Sequence, residues 1–131
     1  QQQTQHPIEA LQQVTDANEI LQLQKAVKEI YVDPLIKQYI VQLSSATREH
    51  EAVYLGASPR GSLALFRSSQ AKALLDGRDF VTPDDVKELA LFTLAHRVIV
   101  SPGAKVKGMT QADVVAQCLQ RVAVPGARAR A

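Results

Sequence analysis

Residues 58–77 read SPRGSLALFRSSQAKALLDG, and this stretch decides the fold class. A serine followed by proline is typical of a helix start, because the serine hydroxyl can cap a backbone N–H and proline already has a helical φ at the first position. Apolar residues then recur at helical spacing, at Leu63, Leu65, Phe66, Ala73 and Leu74. Gly77 suits the position just past a helix. The stretch therefore predicts a helix that begins after Ser58 and stops at Gly77.

The same start signal occurs at two more places in the chain. Asp33-Pro34 and Thr82-Pro83 each offer a capping side chain and a proline at the first helical position. The apolar residues that follow both pairs recur at helical spacing. These signals predict two more helices, which run to about Arg48 and His96.

Two further helix starts rest on capping residues without proline. Asp16 and Glu19 stand at capping-box spacing, where each side chain accepts a hydrogen bond from the other residue's backbone N–H. This pair predicts a helix over about residues 17–29. Thr110 caps the last helix, whose apolar face precedes a stop at Pro125-Gly126.

The connections between these helices are short and offer little strand. Residues 52–55 (AVYL) form an extended stretch, and residues 98–100 (VIV) are β-branched, which suits either a short strand or an extended connection. Residues 101–103 (SPG) are typical of a turn. The sum is an all-α domain, a small bundle of about five helices with no convincing sheet.

Composition limits the class of protein. The chain has 131 residues, 46% apolar and 21% charged, which suits one globular domain with an aliphatic core, since aromatics are only 5%. A net charge of +2 is too small to indicate nucleic-acid binding by itself. The single cysteine, Cys118, excludes an intramolecular disulfide, suits a cytoplasmic location and lies on an apolar helix face, where we expect a buried, unreactive thiol. No apolar run approaches the roughly 20 residues that span a bilayer.

The ends of the chain differ from its centre. Residues 1–15 begin with glutamine rather than methionine and are polar at first, so we expect a linker at a fragment boundary. Within this linker, one packed turn is expected from the spacing of three apolar residues, Ile8, Leu11 and Val14. Residues 16–125 hold the helical domain, and residues 126–131 form a basic, frayed tail with Arg128 and Arg130.

The sequence matches two catalytic motifs in part and departs from each at a required position. Gly56 and Gly61 are spaced as in a P-loop, but Ser62-Leu63 follows where that motif needs a lysine and a hydroxyl residue for phosphate and magnesium. Residues 56–60 (GASPR) resemble a nucleophile elbow up to the last position, which is Arg60 instead of glycine. The sequence therefore excludes phosphoryl-transfer and hydrolase centres of these two kinds.

The histidines offer no metal site. His6, His50 and His96 lie far apart in the sequence, and none has another histidine or a cysteine three or four residues away. His50 stands between two glutamates just past a helix, so we expect it at a solvated surface.

Arg60 is the candidate functional residue. It follows Ser58-Pro59 and so projects from the first turn of a helix, where free N–H groups and the helix dipole already favour an anion. A cation at that end is locally unfavourable and makes sense if an anion such as a nucleotide phosphate comes to it. Gly56 and Gly61 would let another surface approach closely. The simpler interpretation is a solvated arginine beside a routine Ser-Pro cap.

Five segments of the chain together resemble the lid domain of MoxR-family AAA+ ATPases. They are HPI (6–8), ATR (46–48), LGASPRG (55–61), GRDFVTPDDV (77–86) and HR (96–97). The resemblance extends from about residue 6 to Pro125, and LGASPRG is its most specific part. HPI resembles the junction between the family's ATPase core and its lid.

The resemblance implies a role for the residues around Arg60. Arg60 corresponds to the sensor 2 arginine, which reaches from the lid toward the γ-phosphate of ATP, and Ser58, Pro59 and Gly61 frame it. Gly56 completes the implied cofactor-binding set. ATP and magnesium would be held mainly by the ATPase core, because Walker A, Walker B, sensor 1 and arginine-finger segments are absent from this sequence. We therefore expect no ATP hydrolysis by the isolated chain.

The family also implies partners. These are the AAA+ core of the same chain, neighbouring subunits of a homo-oligomeric ring, and proteins with a von Willebrand factor A domain. A chaperone-like role in the maturation of other proteins, or in metal-cofactor insertion, is implied in the same way.

Two alternatives belong to other functional classes. One is a helical nucleic-acid-binding module that contacts phosphates through four cations, Arg60, Arg67, Lys72 and Arg78. The mixed acidic residues and the lack of a basic stripe count against it. The other is a protein-interaction module, which an exposed apolar patch of several hundred Å² would favour, although a severed contact with an ATPase core would leave the same kind of patch.

Overall fold

The structure is a computed structural model, and it describes residues 6–126. In this range the chain forms six α-helices and two short strands. The helices are α1 (Ala17–Glu29), α2 (Pro34–Glu49), α3 (Pro59–Leu75), α4 (Pro83–Leu94), α5 (Pro102–Val106) and α6 (Gln111–Arg121). The strands are β1 (Val53–Leu55) and β2 (Ile99–Val100). The prediction of an all-α fold is confirmed.

Capping chemistry places the helix starts where the sequence predicts them. In the capping box of α1, the Glu19 N–H donates to Asp16 Oδ1 at 2.9 Å, and the Asp16 N–H donates to Glu19 Oε2 at 3.3 Å. Thr110 and Asp113 form the same box at the start of α6. These bonds satisfy N–H groups that have no partner inside the helix, so the start of each helix is fixed locally.

Helix α3 lies at the centre of the domain and packs against α1, α2 and α4, while α6 packs against α2 and α4. Their facing sides form an aliphatic core. Its fully buried members include Ile40, Leu43, Leu65, Val86, Leu94, Val114 and Val115. Burying one large aliphatic side chain contributes roughly 1.5–3 kcal/mol, so this core is the main stabilising feature of the domain.

Two extended contacts tie the connecting segments together. Strands β1 and β2 pair antiparallel, with Val53 opposite Val100 and Leu55 opposite Ile99. Extended backbone is thus confirmed at Val53–Leu55 and at residues 98–100, whereas Ala52 lies in the preceding turn. A second contact joins the α1–α2 link to the α3–α4 link, where the Tyr31 N–H donates to the Asp79 C=O at 2.8 Å.

The turn expected at residues 101–103 is instead the start of α5. Ser101 caps this helix by accepting a hydrogen bond from the Ala104 N–H, and Pro102 takes the first helical position. The prediction of a simple turn was wrong because a serine and a proline serve a helix start as well as a turn. The described residues therefore hold six helices rather than five.

The N-terminal apolar turn forms but does not pack. Residues Pro7–Ala10 make one 3-10 turn, yet Ile8, Leu11 and Val14 are 64%, 76% and 93% exposed. The expected packing was wrong, because these three side chains stay mostly exposed in the part of the chain that the structure describes. Helix α1 continues this surface, since its Ile20, Leu21 and Leu23 are also exposed and none of its residues is buried.

Candidate functional site

Arg60 lies where the sequence places it, in the first turn of α3 directly after Pro59. Its side chain is exposed, and none of the ion pairs or side-chain hydrogen bonds found within residues 6–126 includes it. The guanidinium therefore keeps its full hydrogen-bonding capacity for an external acceptor.

The start of α3 lacks the capping bond that Ser58 was expected to make. Ser58 is exposed and its hydroxyl caps no backbone N–H, while the Gly61 N–H donates to the Ser58 C=O at 2.8 Å. The other five α-helices in the described range all begin with a side-chain cap. The partial positive charge at this helix end is thus left uncompensated by a capping oxygen.

The loop before α3 is held by two consecutive residues of α2. Thr47 Oγ1 accepts a hydrogen bond from the Ala57 N–H at 2.9 Å, and Arg48 Nη1 donates to the Ala57 C=O at 2.6 Å. Ala57 is completely buried. Sequence reasoning missed this contact, although the ATR segment at 46–48 was already part of the family resemblance.

The two glycines serve packing inside the domain rather than the approach of another surface. A Cβ atom at residue 56 would lie 2.6 Å from the backbone N and Cα of Arg48, so no larger residue fits against α2 there. A Cβ atom at residue 61 would lie 3.2 Å from the Ala57 Cβ and 3.3 Å from Leu94 Cδ2. The interpretation that both glycines await an external surface was therefore wrong, because α2 and α4 already occupy that space.

Two more arginines lie near Arg60. Arg97 passes close to Gly61, with its Cδ atom 3.5 Å from the position of a Cβ there, and its Nε donates to the Thr93 C=O at 3.0 Å. Arg67 lies two turns further along α3, and a shallow depression extends from Arg60 to it. Within residues 6–126, neither Arg67 nor Arg97 takes part in an ion pair. This end of α3 is therefore a surface of uncompensated positive charge.

The other two cations of the nucleic-acid alternative are occupied by acidic partners. Lys72 Nζ lies 2.6 Å from Asp76 Oδ2 and 3.5 Å from Glu88 Oε2. The hydrogen bond between Lys72 and Asp76 raises the pKa of the lysine and lowers that of the aspartate. Because Lys72 is already neutralised, it is a poor phosphate contact, and the predicted basic surface is reduced.

Arg78 is held more firmly than Lys72. Its Nη1 and Nη2 donate to the two carboxylate oxygens of Asp85 at 2.8 and 2.6 Å, a bidentate pair. Asp85 is buried and also accepts from the Thr82 N–H at 2.8 Å. Burial raises the pKa of Asp85, but the hydrogen bonds from Arg78 and Thr82 lower it by more, and the pKa lies below its ordinary value. The segment GRDFVTPDDV therefore forms a structural joint: the charges of Arg78 and Asp85 are paired with each other, and Thr82 is bonded to the same carboxylate.

His50 is buried, and the expectation of a solvated histidine was wrong. Its Nδ1 accepts a hydrogen bond from the Ala52 N–H at 3.1 Å, and its Nε2 lies 2.8 Å from Gln117 Oε1. The partner on α6 is 67 residues away, so no local pattern could indicate it. His50 joins the end of α2 to α6 and is a structural residue.

The remaining candidate groups are the thiol, the possible metal ligands and the basic tail. Cys118 is buried, as predicted, and burial raises the pKa of its thiol. Among the residues described, no three His, Cys, Asp or Glu side chains come together as a metal site requires. None of the helices there has the length and apolar character needed to cross a bilayer. Arg128 and Arg130 of the predicted basic tail lie outside the described residues.

The helical bundle, in which α3 begins with an exposed arginine and no side-chain cap, belongs to a known class of domain. Residues 45–118 match the model of a family described as the AAA lid domain, and the chain belongs to that family. Two of the relatives that the chain matches are named chaperone MoxR1 and protein MoxR.

The chain is similar to three longer proteins in particular. It is 44% identical over 124 residues to the uncharacterized protein YeaC of Bacillus subtilis, and 32% identical over 122 residues to the chaperone MoxR1 of Mycobacterium tuberculosis. These alignments cover 95% and 86% of this chain, but only 39% and 32% of the two relatives. A solved structure from Cytophaga hutchinsonii, designated a candidate ATPase, superposes with a TM-score of 0.82 at 27% identity, covering 86% of this chain and 37% of that one.

Proposed function

We propose that this chain is the sensor 2 lid of a MoxR-type AAA+ ATPase, and that Arg60 reaches the γ-phosphate of ATP held by the ATPase core. The observation that carries the proposal is the exposed Arg60, which has no ion pair among residues 6–126, at a helix start without a side-chain cap. A charge in this position, with no acidic partner among residues 6–126, is available to an incoming anion.

The residues present suit a phosphate. Guanidinium groups and free helix N–H groups are donors that bind phosphate oxygens, and Arg67 and Arg97 add positive charge nearby. ATP, when bound, supplies the phosphoryl group that is transferred to water. In this proposal Arg60 orients the terminal phosphate and stabilises its negative charge, while Ser58, Pro59 and Gly61 fix the helix start and Gly56 seats the preceding loop on α2. Magnesium belongs with the acidic ligands of the core.

The exposed apolar side chains supply a second part of the proposal, the contact with the core. Residues 1–15 are the junction, residues 16–125 the lid and residues 126–131 a basic tail. The apolar residues that face outward from the junction and α1 are Ile8, Leu11, Val14, Ile20, Leu21 and Leu23. An exposed apolar surface of this kind marks an interaction site, and the core of the same protein is the partner that the family implies.

The wider setting follows from the same family. We place the full-length protein in the cytoplasm as a homo-oligomeric ring with a chaperone-like role, in which neighbouring subunits and proteins with a von Willebrand factor A domain are partners. The MoxR1 relative is named a chaperone, which supports this part of the proposal.

The decisive test is the substitution of Arg60 in the full-length protein. Removing one preorganised charge donor from a transition state typically costs ~10²- to 10³-fold in rate, so we expect Arg60→Ala to reduce ATP turnover by that order. Arg60→Lys should restore only part of it, because an ammonium group lacks the planar fork. The free energy of unfolding should change by less than about 0.5 kcal/mol, because the side chain is exposed.

Two controls separate this proposal from the alternatives. The isolated chain should show no ATP turnover above background. Unchanged turnover of the full-length Arg60→Ala protein would reject the sensor role, and salt-sensitive DNA binding by the isolated chain would favour the nucleic-acid module instead.

A further inference from the structure

The segment that precedes Arg60 is fixed at a single residue, Ala57. Both of its backbone polar groups are bound by side chains from α2, the N–H by Thr47 Oγ1 and the C=O by Arg48 Nη1. Ala57 is completely buried and lies three residues before Arg60. The bond from Arg48 carries a full positive charge on its donor, which makes it stronger than a neutral hydrogen bond.

Each of the two α2 residues is itself held in place. The Thr47 hydroxyl donates to the Ser44 C=O at 2.6 Å, which leaves a lone pair for the Ala57 N–H. Arg48 uses its second terminal nitrogen, Nη2, to donate to Ser45 Oγ at 2.9 Å. Each side chain therefore has a second hydrogen bond within α2 that helps to fix its conformation.

The chain is also fixed on the other side of Arg60. Ser62 Oγ donates to Ser44 Oγ at 2.8 Å, so the first turn of α3 is attached to the same end of α2. Only residues 58–61 lie between the two attachment points, and Pro59 restricts one of their few rotatable backbone angles. The position of Arg60 is thus set by α2 at both ends of a four-residue span.

We infer that Thr47 and Arg48 are positioning residues for Arg60: they hold the loop so that the guanidinium stands where the terminal phosphate of a nucleoside triphosphate arrives. This inference rests on the proposed sensor role. Leaving the buried Ala57 N–H or C=O without its partner costs a substantial part of the stability of a domain of this size, but a part that such a domain can lose and still fold. A displacement of a reacting group by about 1 Å, in contrast, can slow a reaction by up to ~10²-fold. We call the two hydrogen bonds from Thr47 and Arg48 to the Ala57 backbone the clamp. Its loss should therefore affect ATP turnover more than folding.

Thr47 gives the clearest test, because it is completely buried and cannot touch a nucleotide. Thr47→Val keeps the shape and removes the hydroxyl, while Thr47→Ser keeps the hydroxyl. In the full-length protein we expect Thr47→Val to lower kcat for ATP hydrolysis by about tenfold with little change in KM, and Thr47→Ser to keep nearly full turnover. Thr93→Val is the matched control, since it removes a helix hydroxyl that bonds only within α4.

A double-variant comparison tests whether the effect passes through Arg60. If Thr47 acts by placing Arg60, the protein with Thr47→Val and Arg60→Ala together should turn over no more slowly than the protein with Arg60→Ala alone. Arg48→Gln, at an exposed side chain, should behave in the same way and decides the question if Thr47→Val does not fold.

The possible outcomes separate this inference from the proposed function. Multiplied rate losses in the double variants, or equal losses for Thr47→Val and Thr47→Ser, would overturn the positioning role while a defect in Arg60→Ala keeps the sensor role. Full turnover by Arg60→Ala would instead reject the sensor role, on which the inference rests.

Discussion

Helices α3 and α4 begin with similar local sequences, but the charges at their starts are arranged in opposite ways. Each helix begins with a hydroxyl residue followed by proline, Ser58-Pro59 in α3 and Thr82-Pro83 in α4. At α4 the Thr82 hydroxyl accepts a hydrogen bond from the Asp85 N–H, and Asp85 Oδ2 accepts one from the Thr82 N–H. At α3 the hydroxyl caps nothing, and the nearby Arg60 has no partner within the described chain.

The two helix starts differ in whether their charges are paired inside the domain. The charges at the start of α4 are neutralised inside the domain, by an acidic side chain at the positive end of a helix and an arginine bound to it. The start of α3 has the opposite arrangement: a cation, Arg60, lies at the positive end of the helix, and no acidic side chain among residues 6–126 pairs with it. A helix start whose charges are paired inside the domain stabilises the fold. A helix start with an unpaired charge is suited to binding a ligand.

The largest effect on stability is expected at Asp85. Asp85→Asn replaces a buried carboxylate that binds Arg78 through both oxygens, and hydrogen bonds to a charged group contribute roughly 1.5–3 kcal/mol. We expect the free energy of unfolding of the isolated chain to fall by about 2 kcal/mol in urea titrations at pH 7.

The neighbouring aspartate provides the control for that measurement. Asp84 is exposed, and within residues 6–126 its one ion pair is with Lys87 at 3.3 Å, so Asp84→Asn should cost less than about 0.5 kcal/mol. Equal costs at the two positions would mean that the joint at the start of α4 is not closed in solution.

The same carboxylate predicts how stability depends on pH. The pKa of Asp85 lies below its ordinary value of about 3.9 because the folded state favours the charged form. Its contribution is therefore fully present above about pH 4 and is lost as the pH falls further, through the lowered pKa of the folded state. The gap in urea midpoint between wild type and Asp85→Asn should narrow as the pH falls from 4 to 2. A gap that stays constant over that range would contradict this assignment.

The smallest effect concerns the two hydroxyls at the helix starts. Thr82→Ala removes a cap and should cost about 1 kcal/mol, whereas Ser58→Ala removes a hydroxyl that caps nothing and should cost well under that. Thermal melts of the two variants give the comparison directly. A Ser58→Ala loss as large as that of Thr82→Ala would show that Ser58 does cap α3 in solution.

The features that the sequence predicted well depend on neighbouring residues. Asp16 with Glu19, and Thr110 with its carboxylate three residues on, form capping boxes inside a single turn, so spacing alone reveals them. The location of Arg60 in the first turn of α3 was predicted in the same way, because Arg60 directly follows Ser58-Pro59.

The features that the sequence did not predict depend on distant residues. His50 is buried because Gln117 meets it from α6, and Gly56 is required because the backbone of α2 passes beside it. The clamp of Thr47 on Ala57 likewise joins two elements across ten positions. Whether a hydroxyl caps its own helix, as at Ser58, also depends on side-chain geometry that composition does not determine.

Helix α1 combines a well-formed capping box with a surface that has no buried residue. Local stability follows buried apolar contact, so α1 depends more than its neighbours on what covers Ile20 and Leu23. Helical order in α1 and binding at that surface are then linked equilibria: a partner that docks there stabilises the helix by the free energy of docking, and its departure returns the helix to a shallower minimum. Since α1 packs on α3, this linkage extends to the helix that carries Arg60.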